Sequence, residues 1–105
     1  MGKPDTRRLD RAIRETTRKL DAVRDREMWP LDGRERRAVL GALATGSYRV
    51  VRGNSPARAE RKLDTAWQSA ETRLVAEIAA LQAERRQIVS EAATAKATKK
   101  PSRWW

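Results

Sequence analysis

The chain has 105 residues, with 24 Lys and Arg against 14 Asp and Glu, so its formal net charge is +10. It contains no Cys and no His, which excludes disulfides, thiolate or imidazole metal sites, cysteine nucleophiles and histidine bases. Leu, Ile and Val are few and Phe is absent, so a large hydrophobic core is excluded as well.

The first predicted helix covers residues 5–29. Its inward positions recur every three or four residues along one face, at Leu9, Ile13, Thr16, Leu20 and Val23. Charged residues of both signs occupy the other faces, at the i,i+4 spacing that supports a helix. Trp29-Pro30 should end the helix, because the residue before a proline is pushed out of the α region.

The second predicted helix covers residues 33–52, and Asp32 with Glu35 forms a capping box at its start. Gly46-Ser47 offers an alternative end, which would leave residues 48–51 as a short strand. A lone strand would have nothing to pair with, so we favour a continuous helix that places Gly53 just beyond its end.

The third predicted helix covers residues 56–95, and Ser55-Pro56 is a strong start signal. No Pro or Gly interrupts it. Its inward stripe follows a hendecad repeat, which favours a straight or slightly right-handed coiled-coil-like helix. The stripe consists of Leu63, Trp67, Ala70, Leu74, Ile78, Leu81, Arg85, Val89 and Ala92.

These elements predict an all-α fold, a three-helix arrangement of antiparallel hairpins with a long C-terminal helix projecting beyond the bundle. We expect a single helical domain over residues 1–95 and a flexible basic tail over 96–105. Connections at 30–32 and 53–55 are short, so the first two helices should cover only the first half of the third. Leu81, Ile88 and Val89 would then lack a partner within the chain, which predicts self-association through them as a homo-oligomer.

The positive charge is concentrated between residues 34 and 62, where only Glu35 and Glu60 are acidic. The candidate nucleic-acid or anion-binding residues there are Arg34, Arg36, Arg37, Arg49, Arg52, Arg58, Arg61 and Lys62. The first three fall in the first turns of a helix, where free N–H groups suit phosphate. The alternative is a solvated face. A helix-turn-helix across Gly53 is a further alternative, against an ordinary antiparallel hairpin with the same turn.

The last ten residues are rich in Lys and Trp and show no helical period. Their candidate binding residues are Lys96, Lys99, Lys100, Arg103, Trp104 and Trp105. Tryptophan next to cations suits a partner's pocket, a nucleic-acid clamp or a membrane surface. The alternatives are that this segment folds back on the bundle or is disordered.

The sequence predicts no catalytic residue, no cofactor and no metal site, and therefore a protein that is not an enzyme. We expect a small basic helical protein that binds nucleic acid, DNA or RNA, with little sequence specificity. The rival hypothesis is a helical adaptor that binds another protein or itself, and a third is membrane-surface attachment. The chain shows no signal peptide and no uncharged run long enough to cross a bilayer, so we expect a cytoplasmic location.

Overall fold

The structure is a computed structural model that describes residues 5–99, with side chains over 5–97. Within that range it contains three α-helices and no strand: α1 (Arg7–Arg24), α2 (Gly33–Val51) and α3 (Ala57–Lys99). The all-α prediction is confirmed. The molecule is a rod that measures 86 × 19 × 18 Å between its outermost Cα atoms, only about two helices wide. No helix in the described part of the chain is long and apolar enough to cross a bilayer.

Both α1 and α2 pack antiparallel to α3, and they do not contact each other within the described range. α1 lies along the middle of α3, where Arg24 pairs with Glu71 at 3.1 Å and Asp10 with Arg85 at 2.7 Å. α2 lies along the first half, where Glu35 pairs with Arg73 at 2.7 Å. The two shorter helices therefore follow one another along the long one, and α3 joins them.

This placement differs from the prediction that the first two helices share the first half of the third. α1 ends at Arg24, five residues before Trp29, so the connection to α2 has eight residues instead of three. A connection of that length does not force a tight hairpin, and the chain continues in the same direction along α3. α2 covers the beginning of α3, and both shorter helices pack on its middle, around Trp67 and Leu74.

α1 ends early because Arg26 takes the left-handed conformation, with φ of 60°. The N–H of Arg26 then donates to the carbonyl of Val23 at 2.9 Å, and that of Glu27 to Ala22 at 2.8 Å. These are the two bonds of a Schellman motif, which normally has glycine at the left-handed position. α1 is therefore ended by a backbone conformation that arginine seldom adopts.

α2 begins and continues as predicted. Asp32 accepts from the N–H of Glu35 at 2.8 Å, and Glu35 accepts from the N–H of Asp32 at 3.0 Å, which completes the capping box. The helix runs through Gly46 without a break, so the strand alternative is excluded. Gly53, with φ of 78°, ends it in a second Schellman motif.

The core lies where the end of α1, the connection and the start of α2 meet the middle of α3. Its buried members are Leu20, Val23, Leu31, Val39, Trp67, Ala70 and Leu74. Trp67 is the largest of them and is 7% exposed. Five of these seven residues belong to the inward positions predicted for the first and third helices, so the helical spacing of apolar residues located most of the core.

α1 covers the distal half of α3 in part, through the pairs of Arg8 with Glu84 and Asp10 with Arg85, and the helix projects beyond them as predicted. Leu81 and Ile88 are partly buried, whereas Val89 is 38% exposed. The expectation that this part of the helix has no partner in the chain is therefore wrong for its first two members. α3 continues as helix through residues 96–99, which the sequence placed in the tail, and extends about 21 Å beyond Arg85.

Candidate nucleic-acid interface

A groove of about 780 Å³ runs between α2 and the first half of α3. We call it the basic groove, because five cations line it: Arg34 and Arg37 from α2, and Arg58, Arg61 and Lys62 from α3. Small side chains form its floor, among them Ala38, Gly41, Thr45, Ala66 and Ser69. The groove is thus open to a backbone-sized ligand and positively charged along its walls.

Helical spacing explains why the cations meet. One side of α2 carries a stripe at intervals of three and four residues, Arg34, Arg37, Gly41, Thr45, Tyr48 and Arg52. The antiparallel α3 presents its first two turns to the same side, because the bend at Gly53 is short. Two basic segments that are well separated in sequence therefore face one groove.

The five cations of the basic groove make no side-chain ion pair or hydrogen bond with residues 5–97. The described ion pairs involve other arginines, such as Arg24 and Arg85, which join α1 to α3. Glu35 is the only acid that lines the groove, and its carboxylate is bound by Arg73. The positive charge of the groove is therefore not neutralised within the described chain.

Arg73 holds the N-terminal end of α2 in place, at one end of the groove. Its guanidinium donates to both carboxylate oxygens of Glu35, at 2.7 and 3.0 Å, and to the carbonyl of Pro30 at 3.3 Å. The hydrogen bonds to Glu35 raise the pKa of Arg73, against the opposing effect of its burial, and the carboxylates of Asp32 and Glu77 add to the rise. Sequence reasoning missed Arg73, because no local sequence pattern links it to the capping box of α2, which lies much earlier in the chain.

Tyr48 is a second residue that sequence reasoning missed. Its side chain is 61% exposed, and the Arg52 guanidinium lies 5.7 Å from the ring centroid. It continues the basic stripe of α2 at the end of the groove. Its position in that stripe, four residues before an arginine, was the signal available in the sequence.

The remaining cations of the predicted set lie outside the groove. Arg36 is exposed on the opposite side of α2, Arg49 is partly buried, and Arg52 lies over Tyr48. The start of α2 also differs from the expected phosphate site, because the carboxylates of Asp32 and Glu35 already cap it. Arg34 and Arg37 line the groove beside this capped end.

The turn at Gly53 belongs to an antiparallel hairpin. α2 and α3 pack side by side from Gly46 to the pair of Glu35 and Arg73. Their approach at Gly46 is close, because a Cβ added there would stand 3.5 Å from the Cβ of Ala59. A helix-turn-helix needs its two helices to cross at a steep angle, so that alternative is excluded.

The predicted tail lies mostly beyond the described part of the chain. Lys96 is an exposed residue of α3, and Lys99 is the last residue of that helix. Lys100, Arg103, Trp104 and Trp105 lie outside the described residues. The role assigned to the tail stays a prediction, as does self-association through Leu81, Ile88 and Val89.

Comparison with protein-family models, with curated proteins and with solved structures gives no match to this chain.

Proposed function

We propose that this protein binds the sugar–phosphate backbone of nucleic acid in the basic groove, with little sequence specificity. The observation that supports the proposal is the set of five cations that face one groove without partners in the described chain. Phosphate oxygens are the ligands that arginine and lysine bind most often in protein–nucleic acid complexes. Such contacts fix position and carry no sequence information.

The shape of the groove supports the same ligand. Its floor of alanine, glycine, serine and threonine lets a polymer backbone approach both helices closely. Tyr48, exposed at the end of the basic stripe, offers a face on which an unpaired base stacks. A groove with cations on its walls and an aromatic at one end is typical of single-strand binding surfaces.

Fluorescence anisotropy with labelled single-stranded and duplex oligonucleotides tests this proposal. The groove variant Arg37→Gln with Arg61→Gln should weaken binding at least tenfold at about 50 mM salt, because two phosphate contacts are lost. The slope of log K against log salt should become shallower by about 0.7 per contact for single strands and about 0.9 for duplex DNA.

The matched control is Arg11→Gln with Arg18→Gln, which removes the same charge from two exposed α1 arginines that have no ion pair among the described residues. It should leave the affinity within about threefold, an effect of net charge alone. The proposal fails if the unmodified protein does not bind at about 50 mM salt, or if the control loses as much affinity as the groove variant.

A further inference from the structure

An exposed aromatic ring stands at one end of the basic groove. Tyr48 follows Arg37 by eleven residues, which is about three full turns of α2, so both side chains leave the helix on the same side. The Tyr48 side chain is 61% exposed, and its hydroxyl makes no hydrogen bond with residues 5–97. The Arg52 guanidinium lies over the ring, 5.7 Å from its centroid. A cation therefore stands against one face of the ring, and the exposed fraction leaves the other face open.

The close approach at Gly46 fixes the level of this ring relative to α3. A Cβ added at Gly46 would stand 3.5 Å from the Cβ of Ala59, so these two residues lie at one level of the antiparallel pair. Tyr48 is two residues after Gly46 and Arg58 is one residue before Ala59, so their levels differ by only about 2 Å. The first cation that α3 contributes to the groove therefore lies beside the aromatic ring.

The other cations extend away from the ring along the groove. Measured along the helix axes, Lys62 lies about 8 Å from the level of Tyr48, Arg37 about 17 Å and Arg34 about 21 Å. A nucleic-acid backbone that follows the groove therefore contacts cations over about 20 Å, and one of its ends lies beside the Tyr48 ring.

The groove has the width of one strand and not of a duplex. Packed helices lie about 8–10 Å apart, and α2 and α3 approach closely through Gly46. The major groove of duplex DNA alone is about 12 Å wide, so a duplex is too wide to lie between the two helices. The rod, which measures 19 × 18 Å across, is in turn too wide to enter that major groove. A duplex therefore reaches only the rim of the basic groove.

We infer that the ligand of the basic groove is a single strand, and that one of its unpaired bases stacks on Tyr48. We call Tyr48 with Arg52 the stacking site. It depends on the proposed function, because the phosphate contacts in the groove hold the strand in place. Bases in a duplex are already stacked on their neighbours, so a strand with free bases gains from an aromatic face and a duplex does not. Arg52 has no ion pair within residues 5–97 and can bind a phosphate next to the stacked base.

Fluorescence anisotropy of the full chain at about 50 mM salt, with a labelled single strand and a duplex of about 12 nucleotides or base pairs, tests the inference. The unmodified protein should bind the single strand about tenfold more tightly or better. Tyr48→Ala should weaken binding of the single strand about tenfold and change binding of the duplex by less than about twofold. Tyr48→Phe keeps the ring and should bind like the unmodified protein.

An abasic strand of the same length separates base stacking from a structural effect of the substitution. It keeps the phosphates and lacks the bases, so the unmodified protein should bind it about tenfold more weakly than the normal strand. Tyr48→Ala should bind the abasic strand as well as the unmodified protein does, because no stacking remains to be lost.

Trp29→Ala is the matched control variant. Trp29 is also an exposed aromatic residue, at 52%, but it does not line the groove, and its Nε1–H donates to the Glu27 carboxylate at 3.3 Å. Its replacement should leave all three affinities unchanged. Helicity by circular dichroism should be retained in Tyr48→Ala and Trp29→Ala, because both side chains are more than half exposed.

The possible failures of the stacking site and of the proposed function differ. Equal affinities for single strand and duplex that Tyr48→Ala leaves unchanged and Arg37→Gln with Arg61→Gln lowers would overturn the stacking site and leave the proposed function standing. An equal loss for the normal and the abasic strand in Tyr48→Ala would also overturn the stacking site, because it would show a structural role for Tyr48. Absence of binding to all three ligands would overturn both.

Discussion

At the scale of single residues, the left-handed arginine that ends α1 is the least expected feature. Arg26 has φ of 60°, and its side chain pairs with Asp64 at 2.8 Å. A β-carbon is unfavourable in this conformation, and glycine tolerates it without strain. We expect Arg26→Gly to be about 1 kcal/mol more stable than Arg26→Ala, because both variants lose the ion pair but only glycine relieves the strain.

Urea unfolding followed by circular dichroism measures the difference. The reverse order, with alanine more stable, is the usual result inside a helix and would contradict the left-handed conformation.

Arg73 and Arg85 are a matched pair of arginines on α3 with different surroundings. The Glu35 carboxylate that Arg73 binds is only 11% exposed, whereas Asp10, which Arg85 binds, is 34% exposed. Removing the first partner leaves a mostly buried carboxylate without its strongest donor. Arg73→Gln should therefore cost about 1.5–3 kcal/mol, and Arg85→Gln less than about 1 kcal/mol. Equal losses in chemical unfolding would show that the cap at α2 is not held by Arg73.

Asp10 makes stability depend on pH. Its carboxylate accepts from the Arg85 guanidinium and the Thr6 hydroxyl, and these hydrogen bonds lower its pKa below the usual 3.8. A lowered pKa in the folded state stabilises the protein above about pH 4, and this contribution is lost as the pH falls through the folded-state pKa. The unfolding free energies of the unmodified protein and Asp10→Asn should therefore differ at pH 7 and converge as the pH falls below about 4. A constant difference would contradict this account.

At the scale of helices, Trp67 shows that the helical spacing of apolar residues is enough to identify a core position. It lies in the inward stripe of α3 and is buried in the core cluster with Leu20, Val39 and Leu74. Trp67→Ala should cost about 3–5 kcal/mol, because the cavity forms where three segments meet. Leu81→Ala, at a partly buried position of the same stripe, should cost clearly less. Thermal and urea unfolding of the two variants at equal protein concentration compare them.

The helix boundaries show where sequence reasoning succeeds and where it fails. The capping box at Asp32 and the glycine at Gly53 are local signals, and both ends of α2 follow from them. The end of α1 does not, because Arg26 adopts a backbone conformation that nothing in its side chain requires. That error shortened the predicted connection and misplaced α1 along α3.

The sequence predicts which segment carries the positive charge of the basic groove, but not which residues of that segment share one surface. The concentration of cations over residues 34–62 is visible in the sequence, whereas their division between two sides of α2 depends on how α2 packs on α3. Arg37 faces the groove and Arg36 faces away from it, although the two are adjacent. Tertiary packing, which a single sequence does not encode locally, decides which of two adjacent arginines can reach a ligand in the groove.

At the scale of the whole molecule, α1 and α2 are joined, among residues 5–99, only through α3 and the eight-residue connection. Native-state hydrogen exchange should therefore resolve two cooperative opening units, one for each short helix with the part of α3 that it covers. Amides of α3 near Trp67, Ala70 and Leu74 should exchange most slowly, because both units must open there. A destabilising substitution in α1 would then accelerate exchange in the distal half and leave the α2 half protected. The chain would then consist of two short folding units that share α3. A ligand in the basic groove would protect the α2 unit from exchange while the α1 unit continues to open.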